Sequence, residues 1–418
     1  MSPPAAEGVH SLFDTDLYKL SMQAAVLHHF PDVHVKYSFT NRTSEMRLNV
    51  EAYAWLEDQV MKLGALRVSE EELTWLGETL PFLSKDYLEW LREFGMKPEE
   101  QVRLSFDEET RELGCEIEGL WSDTILYEVP ILALVSEAYF KFVDTDWDHD
   151  GQYERAYEKG RRLIEAGCKF SEFGTRRRRD YETHEIVMRA LVDADREGAA
   201  KGGLSGTSNV HLARKFGVLP VGTVAHEWFM AIAAITDDYT HANHRALTLW
   251  RETYANELSI ALTDTFGTDA FLDDFGRGLS EAFKGVRQDS GDPWQFVERM
   301  CGHYRGVGVD PSEKILVFSD ALTVEKAVSL KAHAEKHGII PAFGIGTFLT
   351  NDFIVVKSSE KGAVGEGDVS KPMNIVIKLS EAGGRRCVKI SDDEKKFTGD
   401  PGRVREVLDE LGLGGRRD

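Results

Sequence analysis

The sequence predicts an α/β protein whose larger part is an irregular, TIM-like βα barrel, and two observations carry that expectation. Beyond about residue 165, short apolar or small-residue strands recur at intervals of roughly 20–35 residues, which leaves room for a helix between most of them. Each strand ends in a cluster of Gly, Ser, Thr, Asp or Arg, where parallel barrels present their chemistry. A doubly wound open sheet is the structural alternative, and it would place ligands at the same ends.

The elements read as follows. Residues 11–30 (SLFDTDLYKLSMQAAVLHHF) predict a helix capped by Asp14 or Thr15, with apolar residues at helical spacing. Residues 33–40 (VHVKYSFT) alternate as a strand does. Residues 50–98 predict helices broken near Gly64 and Pro81, residues 101–128 two or three strands, and Pro130 the opening of a helix reaching Phe142. The barrel segments are CKFSEFGTR (168–176), GGLSGTSN (202–209), VGTVAHE (221–227), SIALTDTFG (259–267), GVRQDSGD (285–292), KILVFSDAL (314–322), IIPAFGIGT (339–347) and MNIVIKLS (373–380). The charged tail, 381–418, is expected to return to the first domain or to fray.

Composition narrows the class. A net charge of −21 over 418 residues favours solubility and argues against general affinity for nucleic acid or anionic membranes. Cys115, Cys168, Cys301 and Cys387 form no C-x-x-C pair, which disfavours a zinc site or a disulfide framework and fits a reducing compartment. The first residues lack a basic stretch followed by an apolar run, and the apolar run Val129–Val135 is too short to span a bilayer. A cytoplasmic location is expected, with the nucleus open to a eukaryotic protein.

Six clusters carry chemistry. GVRQDSGDP (285–293) gathers Arg287, Asp289, Ser290 and Asp292, able to hold a sugar diol, a phosphate or hydrated Mg²⁺, or simply to cap a helix starting at Pro293. Asp320, after the apolar ILVF, suits ribose hydroxyls or an N-cap. FGIGTFLTND (343–352) and GGLSGTSN offer Gly-rich turns whose backbone N–H groups suit a phosphate, or are plain tight turns. In the run Arg176–Arg179, Arg176 is the candidate anion ligand and Arg178 and Arg179 read as a solvated helix face. His226 reads as a strand-end residue beside Glu227, with Asp264 placed to orient its ring. His241 and His244 (HANH) read as helix surface rather than metal ligands.

In their order along the chain, TDLYKLSMQ (15–23), KYSFTNR (36–42), FSEFGTRRR (170–178), GTSN (206–209), GTVAHEW (222–228), LTDTFGTDAF (262–271), RQDSGDP (287–293), FSDAL (318–322), FGIGT (343–347), VKIS (388–391) and GDP (399–401) together resemble the nicotinate phosphoribosyltransferases, type II phosphoribosyltransferases. The resemblance implies an irregular barrel (146–374) joined to a second α/β domain built from both chain ends (1–145 plus 375–418). It implies that nicotinate and phosphoribosyl pyrophosphate give nicotinate mononucleotide and pyrophosphate with Mg²⁺, coupled to ATP hydrolysis, as the first step of NAD salvage from nicotinate. By position, His226 matches the histidine that ATP phosphorylates, and Asp264 the acid supporting it. Tyr18 and Phe173 match the aromatic pair around the pyridine ring. Arg176 and Arg287 match cations facing the carboxylate, ribose or phosphate. Asp289 and Asp320 match catalytic, ribose-binding and Mg²⁺-linked acids, and Gly344, Gly346 and Thr347 the 5′-phosphate loop. Arg42, Lys389 and Lys395 match cations for pyrophosphate. The segments of Tyr18 and Arg42 come from a second subunit in related enzymes, which implies a homodimer with shared sites.

Nicotinamide phosphoribosyltransferase is the nearest alternative. There the position matching Ser208 carries an aspartate, whereas a serine hydroxyl can donate to a nicotinate carboxylate. A βα-barrel hydrolase using Asp289 and Asp292, or a catalytically inactive binding protein, is the alternative of another class.

Overall fold

The computed structural model describes residues 7–198, 203–355 and 369–414. Two sheets organise it. The first is antiparallel, in the order Arg385–Arg386, Ile375–Ala382, His34–Asn41, Leu113–Leu120, Val102–Phe106. Its central strand pairs with Ile375–Ala382 on one side and Leu113–Leu120 on the other, so chain ends more than 300 residues apart share one ladder. The second sheet has six strands, in the order Gly203–Thr207, Lys169–Glu172, Ile340–Ile345, Ile315–Phe318, Gly285–Gln288, Ile260–Leu262, and every pairing in it is parallel. Helices such as Pro293–Gly306 and Val324–His337 link consecutive strands, as βα units require. The result is an irregular βα barrel with a second α/β domain built from the N-terminal region and the C-terminal tail.

The first helix runs Leu17–His29, six residues later than its apolar pattern predicts. Residues before it are held by side chains: Asp14 takes a two-pronged bond from Arg178, and Asp16 bridges to Asn209. Asp16, rather than Asp14 or Thr15, is the N-cap, and its carboxylate does not cap the helix. Further along, Ser69 and Glu72 form a reciprocal capping box that fixes the start of Glu70–Thr79.

Two predicted barrel strands differ in the structure. MNIVIKLS lies in the antiparallel sheet as Ile375–Ala382. VGTVAHE forms no strand: an isolated bridge joins Pro220 just before it to Thr207, Gly222 then packs against the backbone of Tyr18 and the side chain of Leu17, and a helix starts at His226. The turn through this segment is why the barrel is irregular. Of the tail, 415–418 lie outside the described residues, as does Gly202 of the predicted 202–209 strand. One apolar cluster, running from Val9 to Leu408, fills both layers and ties them together.

Candidate active site

Three distant segments converge on His226. It is the first residue of the helix His226–Thr236, not the end of a strand. Its Nδ1 faces the Thr265 hydroxyl at 3.1 Å. Its Nε2 lies 3.0 Å from Asp289 Oδ2 and 3.0 Å from Lys389 Nζ, between an anion and a cation. Asp264, expected to orient the ring, stands back at 3.7 Å and accepts hydrogen bonds from Ser290 and Ser391 instead. Asp289 therefore takes the orienting position, because it follows the end of Gly285–Gln288 and Asp264 is pulled toward two hydroxyls.

Burial and then the Lys389 ammonium push the His226 pKa from 6.5 down to about 4, against the pull of Asp264 and Asp289. At neutral pH the ring is uncharged, so one of its nitrogens carries no proton. The same shift makes a stability statement: the neutral ring's contribution is fully present above about pH 6.5 and is lost as pH falls through about 4. In the ligand-free protein, the NMR titration of this ring is expected near pH 4; a midpoint near 6.5 would contradict the burial argument.

The C-terminal segment closes the site with cations. Lys396 Nζ donates to Asp320 Oδ1 at 2.7 Å and to the Asp289 carbonyl at 3.0 Å, whereas Lys395 is exposed. Lys396, next to the expected Lys395, is the lysine that reaches these two acidic residues. Ser319 donates to Asp289 Oδ1 at 2.7 Å. Lys378, mid-strand, donates to the Thr398 hydroxyl, and Thr398 pairs through its backbone with Lys389. Among the described residues no carboxylate pairs with Lys378; burial, Lys389 and Arg42 push it down to about 7. Arg42 itself is exposed at the end of its strand, its backbone tied to Asn374. Lys378 and Lys396 were missed for want of a motif, although a lone Lys inside the apolar IVIKLS was a signal. For a metal, His226, Asp264 and Asp289 each offer an atom within 4.8 Å of the others. Asp264 Oδ1 has no hydrogen-bond partner among the described residues, and Asp320 adds a carboxylate at the next strand end.

The other side of the site is built around Arg176. Its NH1 meets Glu128 Oε1 at 3.2 Å, Glu128 Oε2 meets Lys19 Nζ at 2.6 Å, and Lys19 meets Glu227 Oε2 at 2.5 Å. Glu227 also accepts from Tyr37 and Trp121, at 2.6 and 2.7 Å. This chain of charges runs from Arg176 to the residue beside His226. Arg176 and Arg177 both feel the charge of Asp289, which places the two halves in one field. Arg287, half-buried beside Asp289, donates to Thr223 at 2.8 Å. Arg178 and Arg179, expected on a solvated face, are fully buried. Arg178 forks onto Asp14, and Arg179 lies 3.6 Å over the Phe140 ring and 4.1 Å over Phe353.

The glycine turns and Ser208 also have partners inside the protein. A side chain at Gly344 would run into the Phe173 ring within 2.3 Å, so this glycine has a packing reason whatever the turn binds. The Gly346–Thr347 turn sits one strand from Asp320, since Phe343 pairs with Phe318. Ser208 donates its proton to Asp16 Oδ1 at 2.7 Å and is buried, so its hydroxyl is not free for a ligand carboxylate. Its neighbours are likewise engaged within the protein: Thr207 donates to Glu172, and Asn209 caps the next helix. Asp292 caps Pro293–Gly306 through Trp294 and Gln295, which removes it as the second carboxylate of a hydrolase. His241 and His244 are exposed on or beside a helix, as read.

Tyr18, half-buried, stands beside Arg176 in its own chain, as Arg42 stands beside Lys378.

The family model described as the nicotinate phosphoribosyltransferase (NAPRTase) family matches residues 168–414, and the corresponding N-terminal domain matches 13–136. The chain belongs to the nicotinate phosphoribosyltransferase family. It is 50% identical to a probable nicotinate phosphoribosyltransferase of Schizosaccharomyces pombe, over 99% of each chain. It is 46% identical to a nicotinate phosphoribosyltransferase of Saccharomyces cerevisiae, over 99% of this chain and 96% of that one. Among solved structures, a putative nicotinate phosphoribosyltransferase from Saccharomyces cerevisiae superposes with a TM-score of 0.93 at 44% identity, covering 99% and 100% of the two chains. One from Porphyromonas gingivalis gives 0.87 at 34%, covering 97% and 100%. In this nicotinate phosphoribosyltransferase family member, the bond from Glu128 to Arg176 joins the two matched regions directly.

Proposed function

We propose that the chain transfers the phosphoribosyl group of phosphoribosyl pyrophosphate to nicotinate, in the first step of NAD salvage, with the reaction driven by ATP through His226. The observation that carries the reading is the family match over nearly the whole chain, together with a neutral His226 held against Asp289 and Lys389 at the meeting of its strand ends.

The chemistry follows from the residues. The nicotinate ring nitrogen forms a bond to the anomeric carbon as the bond from that carbon to pyrophosphate breaks, and charge develops on the sugar and the leaving group. Little proton transfer is needed, so the protein's work is positioning and neutralisation. Tyr18 and Phe173 bracket the ring, Arg287 and Arg176 supply charge for its carboxylate, and Asp289 and Asp320 hold ribose hydroxyls. Backbone N–H groups of Gly344, Gly346 and Thr347 take the 5′-phosphate. Lys378, Lys389, Lys396 and Arg42 face the leaving pyrophosphate. Oxygen ligands suit Mg²⁺, and Asp289, Asp320 and Asp264 would hold it. There Mg²⁺ would neutralise phosphate charge. In the ATP half-reaction the His226 lone pair attacks the γ-phosphorus, an N–P bond forms, and the P–O bond to ADP breaks. The protein works in the cytoplasm in this reading, and no helix among the described residues is long and apolar enough to cross a membrane.

The test is product formation. With phosphoribosyl pyrophosphate, nicotinate is expected to yield nicotinate mononucleotide and pyrophosphate one to one. Nicotinamide is expected to be poorer by about tenfold or more in kcat/KM, a difference of roughly 1.4 kcal/mol or more in transition-state binding. Equal rates would refute the substrate assignment, and no nucleotide from either would refute the reaction.

A further inference from the structure

A second cluster lies on the outer surface of the barrel. His333 and His337 are one turn apart in the last two turns of Val324–His337, and Glu298 faces them from Pro293–Gly306. The two imidazole rings are 4.6 Å apart centre to centre. His333 Nε2 is 3.7 Å from Glu298 Oε1, shielded from solvent and without a hydrogen-bond partner among the described residues. One ligand atom from each of the three lies within 4.8 Å of the other two.

Spacing of four residues puts two imidazoles on one helix face, and a carboxylate completes a set that borderline divalent ions favour over Mg²⁺ or Ca²⁺. Bonds of about 2.0–2.1 Å to a tetrahedral ion separate its ligand atoms by about 3.4 Å. From within 4.8 Å the gap to close is at most about 1.4 Å, and the Glu298 side chain is exposed. The His337 carbonyl accepts from Arg305 at 3.1 Å and from the Cys301 thiol at 3.9 Å.

We propose that Glu298, His333 and His337 bind one divalent ion of the zinc class and so clamp the two helices behind the strands that carry Asp289 and Asp320. The site is separate from the His226 cluster: the helices start at the strand ends that bear those acids, and the histidines lie at the far end of theirs.

The experiment is equilibrium dialysis of chelator-stripped full-length protein against micromolar Zn²⁺, with bound metal counted. The wild type is expected to hold an ion that Glu298→Gln, His333→Ala and His337→Ala each lose or weaken at least tenfold. His226→Ala is expected to keep it, which separates this site from the one already described. Zn²⁺ at 100 times its Kd is expected to raise the wild-type Tm by about 3–5 °C and that of Glu298→Gln by much less. Glu298→Gln changes one exposed side chain, so it reports even if a histidine variant does not fold. Nicotinate turnover without added zinc is expected to be unchanged in it. Failure of the wild type to retain zinc, or an unchanged count in Glu298→Gln and His337→Ala, would overturn the proposal.

Discussion

Exchanging His226 for Asn is expected to abolish transfer of the γ-phosphoryl group of ATP to the protein, and with it any acceleration by ATP. The imidazole Nε2 is the atom set between Asp289 and Lys389, and Asn has no atom at that reach. Its amide can still serve Thr265 in place of Nδ1. The loss should therefore fall on the coupled reaction. Turnover without ATP is expected to drop by no more than about tenfold, the value of roughly one hydrogen bond at 1.4 kcal/mol. Labelled ATP, and rates with and without it, measure both quantities. Acid-labile, base-stable label is expected on the wild type and none on the variant. Label persisting in His226→Asn would place the acceptor elsewhere.

Lys19→Met is expected to cost about 3–5 kcal/mol of folding stability, a large share of the roughly 5–15 kcal/mol that holds a domain. The ammonium is wholly buried between Glu128 and Glu227, at 2.6 and 2.5 Å. Burial alone would favour the uncharged amine, but the two carboxylates overcome it and raise the pKa. Without Lys19 two buried acids lose their cation, and Glu128 keeps only Arg176. Adding Glu128→Gln and Glu227→Gln to the variant should recover part of the loss, because the uncompensated charges go with them. Urea unfolding with constant m-value measures this. A change under about 1 kcal/mol would mean that water reaches the carboxylates and that the chain of charges does not hold the site.

Much of the barrel was legible because its signals are local. Apolar runs such as ILVF and the polar residues after them fix both the strands and the side on which Asp289 and Asp320 emerge. What was not legible depends on partners far away in sequence. Ser208 reads as a free hydroxyl until the fold brings Asp16 to it across 192 residues. Arg178 and Arg179 read as a solvated pair because composition cannot show that Asp14 and Phe140 await them. Asp289 replaces Asp264 at His226 for a similar reason: the hydroxyls of Ser290 and Ser391, one of them 127 residues away, hold Asp264 back. Lys19 and Lys378 interrupt apolar patterns, and a charged residue at a buried position is the one trace such networks leave in a sequence.

Soaking or co-crystallising the protein with nicotinate mononucleotide addresses the arrangement most directly. The account predicts the pyridine ring between Tyr18 and Phe173, its carboxylate toward Arg287 or Arg176, and the 5′-phosphate on the backbone of residues 344–347, all contributed by one chain. A nucleotide bound away from these groups, or a ring enclosed by residues of another molecule, would contradict it.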